Sequence, residues 1–155
     1  MPFTLSAKMK SPADPVPPTA VDVVIPSDPA EARRVQDEIE RLLQARATHE
    51  HDVFSIKLAL EEALVNAIKH GNQMDRAKSV RISYRLHADR FEVHIADEGP
   101  GFDPADVPDP TAPENLERPC GRGLLLMRYY MTEVVYHDRG RAVRMSKLLN
   151  GQGAG

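Results

Sequence analysis

Between Val53 and Ala67 the apolar residues Val53, Ile56, Leu60, Ala63, Leu64 and Ala67 recur at steps of three and four. That spacing marks a helix with one face in a core and the other in water. A one-faced helix needs a second apolar surface, and the chain supplies one directly afterwards. Val80, Ile82, Tyr84 and Leu86 alternate with Arg81, Ser83 and Arg85; Phe91, Val93 and Ile95 alternate with Glu92, His94 and Ala96. Period two with one apolar side predicts two strands covered on one face. The short link His87–Arg90 predicts that they pair as an antiparallel hairpin. His94 falls on the polar side, where exposure to solvent is expected.

The other segments agree with this two-layer scheme. Val21–Ile25 reads as a strand ended by Pro26. Asp28, Pro29 and Glu31 give a helix start with capping-box spacing, and Ala32, Val35, Ile39, Leu42 and Leu43 give that helix one buried face to about Ala47. The second helix is expected over about 50–71, with Gly71 suiting its stop. Glu133–His137 and Arg141–Leu148 read as a hairpin across Asp138-Arg139-Gly140. Strand, two helices, hairpin, helix, hairpin predicts an α+β fold: a two-layer sandwich, with a mixed, mostly antiparallel sheet and helices on one face. A doubly wound parallel sheet would need crossovers that are missing here.

Residues 1–19 are rich in Pro, Ser and Ala and are expected to form a disordered or extended tail; 20–149 form the domain and 150–155 a loose end. A length of 155 residues fits a single domain. A formal charge of −3 carries no nucleic-acid or membrane signature. There is no apolar run long enough to span a bilayer, and no signal-peptide stretch. The single cysteine, Cys120, excludes an internal disulfide framework and suits a reducing cytoplasm. The six histidines show no convincing metal spacing.

Chemistry concentrates in three places. On the second helix Glu62 and Asn66 stand one turn apart beside the apolar stripe, and Lys69 and His70 continue the row. A carboxylate, a carboxamide, an ammonium and an imidazole on one edge suggest a base, a metal ligand and phosphate contacts, although such a row is also the ordinary solvated flank of an amphipathic helix. Glu61 competes with Glu62, but it lies roughly 140° around the helix from Asn66, against about 40° for Glu62. The second place is Asp97-Glu98-Gly99-Pro100-Gly101-Phe102-Asp103, a glycine-bracketed turn at a strand end. The third is Gly121-Arg122-Gly123-Leu124, two glycines before an apolar helix, where free backbone N–H groups favour bound phosphate. Between the last two, Asp103–Cys120 carries five prolines and little apolar content, the character of a lid. Asp103 and Asp106 read as lid surface.

In order and context these segments resemble the N box and two glycine boxes of the GHKL (Bergerat-fold) ATPases, and within them the anti-sigma-factor serine/threonine kinases. The resemblance covers about 20–148. It implies ATP and Mg2+ as cofactors. It implies that Asp97 accepts a hydrogen bond from the adenine amino group, that Gly99 and Gly101 let the backbone pass close to base and sugar, and that Asn66 ligates Mg2+. Glu62 is then the general base. Gly121, Arg122, Gly123 and Leu124 belong to the phosphate cradle, Lys69 and His70 contact phosphates or ribose, and Arg118 reaches the γ-phosphate, although its spacing from Gly121 departs from the family pattern by about a residue. With about 20 residues before the first strand, the dimerising hairpin of the two-component histidine kinases is not expected, nor are the transducer domains of the MutL-, gyrase- and Hsp90-like ATPases. The implied partners are a STAS-type anti-sigma-factor antagonist, phosphorylated on serine or threonine, and a sigma factor or other regulator that is sequestered. A homodimer is implied as well, with the first helix and first strand as its surfaces. The alternative is a partner-switch module that binds ATP and sequesters a regulator without phosphotransfer; Glu62 beside Asn66 favours the enzyme.

Overall fold

The computed structural model describes residues 19–101 and 119–149. Of the tail expected over 1–19, Thr19 already belongs to the first strand; residues 1–18, the expected end 150–155 and the segment 102–118 with Arg118, Asp103 and Asp106 lie outside the described residues. The element order is β1 (Thr19–Pro26), α1 (Pro29–Ala45), α2 (Glu50–Val65), a π-helical turn (Asn66–Gly71), β2 (Ser79–Leu86), β3 (Arg90–Ala96), α3 (Pro119–Tyr130), β4 (Glu133–His137) and β5 (Ala142–Leu148). The strands form one sheet in the order β1-β2-β3-β5-β4, and every neighbouring pair is antiparallel. The β2–β3 hairpin forms as its alternation predicts, with Leu86 opposite Phe91 and Tyr84 opposite Val93.

The apolar side of that alternation makes the core. Ile82, Ile95 and Val143 line up across β2, β3 and β5, and Tyr84, Val93 and Met145 form the next row. All six are buried, together with Phe91, Leu86, Ile56, Leu60 and Leu64. Each fully buried large side chain contributes about 1.5–3 kcal/mol. α1 presents Ala32, Val35, Ile39 and Leu43 to this core. Asp28 caps it by accepting from the Ala30 N–H at 2.9 Å. Glu31 does not close the reciprocal half of the capping box: its carboxylate pairs with Arg34 at 3.0 Å, and the Asp28 N–H donates to the Pro26 carbonyl.

Two expectations are corrected. The second helix is not α-helical to Gly71. At Asn66 it widens into a π turn, in which the Asn72 N–H reaches five residues back to the Ala67 carbonyl. Asn72 is fully buried and anchored, and this fixes where the last turn must end. Its amide donates to Ser27 Oγ and to the Ser79 carbonyl, each at 2.9 Å, and accepts from the Glu98 N–H at 2.7 Å. His94 is the second correction. It is half-buried rather than exposed, because its Nε2 meets His137 Nε2 at 2.7 Å across β5. One ring must donate and the other accept, since both nitrogens cannot carry the bridging proton. Burial, then the nearby His137 and Arg144, hold the His94 imidazole below its ordinary pKa.

Candidate active site

The C-terminal end of α2 carries Glu62 and the π turn that continues it opens with Asn66, both half-buried, while Ala59, Leu60, Ala63 and Leu64 fix the opposite edge in the core. Glu61 is exposed and Glu62 half-buried, so the two neighbouring carboxylates occupy different surroundings. Burial first, and the charge of Glu61 second, raise the Glu62 pKa above the ordinary glutamate value. Among the described residues, neither the Glu62 carboxylate nor the Asn66 carboxamide has a side-chain hydrogen bond or ion pair. Both side chains are half-buried.

α3 closes on them. Gly121, Arg122 and Gly123 lie within its first turns rather than ahead of it, since α3 begins at Pro119. Gly123 is buried against α2: a Cβ added there would stand 2.7 Å from Glu62 Oε1 and 3.4 Å from Asn66 Nδ2. The missing methyl therefore leaves the two polar side chains room on the α3 side. Leu124, the next residue, buries its side chain in the core that also holds Met127 and Met131, which leaves its backbone to the phosphate cradle. The 3.6-residue period separates it from the site-facing edge.

Asp97 stands at the end of β3, and its carboxyl abuts Gly71 at the end of the π turn. A side chain at Gly71 would overlap the Asp97 carboxyl, and one at Gly99 would overlap the Gly71 carbonyl. Gly71 is thus needed for close approach, not for a left-handed stop; within the glycine turn that follows Asp97 it is Gly101 that takes a left-handed φ, at 83°. Asp97 Oδ1 accepts from the Gly99 N–H at 2.8 Å. Burial raises the Asp97 pKa, opposed by that N–H and by Arg141. The π turn thereby brings the N box and the first glycine box together, as Gly123 brings the second to Glu62. Lys69 and His70, on the same turn, are exposed and have no side-chain hydrogen bond among the described residues.

The comparisons with known proteins agree with this geometry. A family model described as a histidine kinase-like ATPase domain matches residues 25–147. The serine-protein kinase RsbW of Bacillus velezensis is 30% identical over 144 residues, 86% of this chain and 90% of that protein. The chain belongs to the histidine kinase-like ATPases, in the family of the RsbW serine-protein kinases. RsbW of Bacillus licheniformis is 35% identical over 106 residues, and this match spans 64% of the chain and 66% of the relative. RsbW of Bacillus subtilis is 35% identical over 108 residues, 65% and 68%. Among solved structures, the RsbU and RsbW domains of a Mycobacterium tuberculosis protein align with a TM-score of 0.59 at 16% identity, covering 87% of this chain and 33% of that one. At that identity the likeness bears on the fold alone.

Membership of an ATPase family implies ATP as the nucleotide. Two residues beside the glycine boxes were not singled out from the sequence. Asn72 ties the end of the π turn to the backbone of Glu98. Arg141 donates from Nε to the Gly99 carbonyl at 2.8 Å. The Asn directly after Gly71 was a usable signal for the first, since a carboxamide at a helix end can replace lost backbone partners. Arg141 has no local signal, being the residue before a strand. The described residues contain no cluster of three or more metal-ligating His, Cys, Asp or Glu side chains. They also include no helix long and apolar enough to cross a membrane.

Proposed function

We infer that the chain is an ATP-dependent serine/threonine protein kinase of the anti-sigma type, with its phosphotransfer end at Glu62, Asn66 and Gly123 and its base end at Asp97. The observation that carries this reading is the meeting of Glu62, Asn66 and Gly123 from two separate helices. Glu62 would take the proton from an attacking serine or threonine hydroxyl. Its raised pKa, from burial and from the charge of Glu61, strengthens it as a base towards a hydroxyl. The seryl oxygen then bonds to the γ-phosphorus as the β–γ bridging bond breaks, and ADP leaves. Phosphoryl transfer of this kind depends mainly on positioning and charge neutralisation.

The donor set fits a hard divalent cation. Asn66 offers a carboxamide oxygen that has no side-chain partner among the described residues, beside the room left at Gly123, and Mg2+ prefers such oxygen ligands with waters and phosphate oxygens completing the shell. Asn66 would hold Mg2+ there; when bound, the ion neutralises charge on the phosphates. Asp97, acceptor-only when ionised, suits the exocyclic amine of adenine. Gly99 and Gly101 keep the surrounding backbone close. Backbone N–H groups around Gly121, Arg122 and Gly123, in the first turns of α3, suit the β- and γ-phosphates. Lys69 and His70 would contact phosphate or ribose, and the resemblance assigns Arg118, which lies outside the described residues, to the γ-phosphate.

The protein substrate is a STAS-type antagonist, and the second partner is a sigma factor or similar regulator that is held when the antagonist is phosphorylated. A homodimer and a cytoplasmic location complete the reading. The test is incubation with radiolabelled ATP, Mg2+ and the candidate antagonist, followed by mapping of the phosphate. Label on one antagonist serine or threonine, lost with Glu62→Gln, is expected. Absence of label, with antagonist and ATP both bound, would leave a non-catalytic partner switch.

A further inference from the structure

The turn between β4 and β5 grips the Asp97 loop. The Asp97 N–H donates to the Arg141 carbonyl at 2.8 Å. The Arg141 side chain then reaches over the same loop: Nε donates to the Gly99 carbonyl at 2.8 Å, and Nη2 to the Pro100 carbonyl at 3.4 Å. Nη1 stands 3.6 Å from Asp138 Oδ1, at the start of the turn. One residue away, a Cβ at Gly101 would overlap the Arg139 carbonyl. The turn is suited to this contact because Asp138, Arg139 and Gly140 take φ of 53°, 57° and 80°, three left-handed residues in succession.

The strap itself needs such an anchor. Pro100 has no N–H, so Gly99-Pro100-Gly101 cannot be pinned by a regular backbone ladder. Its two carbonyls need donors from elsewhere. A guanidinium supplies them from one rigid plane, whereas an ammonium on a flexible stem offers a single point. A strap free to move would also release Gly99, whose N–H holds the Asp97 carboxylate.

We propose that Arg141 is a positioning residue for nucleotide binding: its guanidinium fixes the Gly99–Pro100–Gly101 strap relative to Asp97, and so sets the opening that receives the base and sugar. This rests on the reading of Asp97 as the group that recognises the base.

The test measures ATP affinity by calorimetry on the full chain, with kcat from phosphotransfer and folding checked by circular dichroism. Arg141→Ala should weaken ATP about tenfold, the effect of losing a charged hydrogen bond. Its kcat at saturating ATP should stay within about twofold, since Glu62 and Asn66 are untouched. Inhibition by inorganic tripolyphosphate, which has neither base nor sugar, should be unchanged. Arg141→Lys should regain part of the affinity, because one ammonium can serve one carbonyl. ATP affinity within about twofold of the parent in Arg141→Ala overturns the proposal, as does an equal loss for tripolyphosphate. If Arg141→Ala does not fold, a folded Arg141→Lys that binds ATP as the parent does overturns it equally. Asp97→Asn separates the two levels. Lost ATP binding in that variant, with Arg141→Ala unaffected, sinks the Arg141 role alone; full ATP binding in Asp97→Asn removes the base-recognition reading, and Arg141 falls with it.

Discussion

The two ends of the site are built differently. At the Asp97 end the chain is tied by the Gly99 N–H, by Arg141 on two carbonyls, by Asn72 on Glu98 and by glycines packed backbone to backbone. At the Glu62 end the functional oxygens are half-buried and, among the described residues, have no hydrogen-bond partners of their own. The first arrangement suits a group that must be recognised by shape and one hydrogen bond. The second suits groups whose partners, a phosphate chain and an incoming hydroxyl, change during the reaction. On the proposed reading, the tied end would hold the base of ATP while the other end stays free to accept a protein substrate.

The contrast can be broken experimentally. The largest expected effect is at the loose end: Glu62→Gln should lower phosphotransfer about 10²–10⁴-fold while ATP affinity stays within a few-fold. Unimpaired transfer in a single-turnover assay would move the base to Glu61 or remove it. The tight end should answer the other way. Asp97→Asn should weaken ATP by about 10–100-fold, because an amide in place of the carboxylate loses a charge-assisted acceptor; calorimetry reads this directly. Next come the two glycines. Gly99→Ala would drive a methyl into the Gly71 carbonyl, a backbone atom that cannot turn aside, and should cost about 1–3 kcal/mol or more in urea unfolding. Gly123→Ala meets the far end of the flexible Glu62 side chain, so its melting temperature should hold or rise, helped by alanine's helix preference of about 1 kcal/mol. Its transfer rate should fall about tenfold as Glu62 turns away. Equal destabilisation by the two substitutions would erase the distinction between the ends.

The smallest effect follows from linkage. The folded-state pKa of Glu62 is raised, so folding favours its protonated form. The associated stability is present below the unfolded-state pKa and is lost as pH rises through the folded one. At neutral pH the ionised Glu62 therefore costs stability, and Glu62→Gln should raise the nucleotide-free melting temperature by about 1–2 °C. The gain should vanish at pH below the ordinary carboxylate range. For the same reason the acid limb of the rate profile should lie above that of an ordinary glutamate. A limb at or below the ordinary value would contradict the burial of this group.

Much of the fold was legible because it is periodic. The alternation at 80–96 and the three-four spacing at 53–67 each name a face, and the sheet and α2 bury those faces. The glycine boxes were legible as local strings. What escaped is long-range. Nothing within a few residues of Asn66 signals a π turn, since that turn depends on Asn72 being held by Ser27 and Ser79. His94 looked exposed because alternation ignores strands beyond the neighbour, and its partner is His137, 43 residues on.

The long separations also bear on how the protein folds. Gly99 and Arg141 lie 42 residues apart, Asn72 and Glu98 lie 26 apart, and Gly123 must reach back across both to Glu62. None of these contacts can form until most of the chain has collapsed, and closing such loops is slow compared with forming a helix. No early, partly ordered species should possess a nucleotide pocket. Bound ATP would then draw the equilibrium towards the fully folded chain by mass action, and nucleotide binding after dilution from denaturant should be among the last signals to recover.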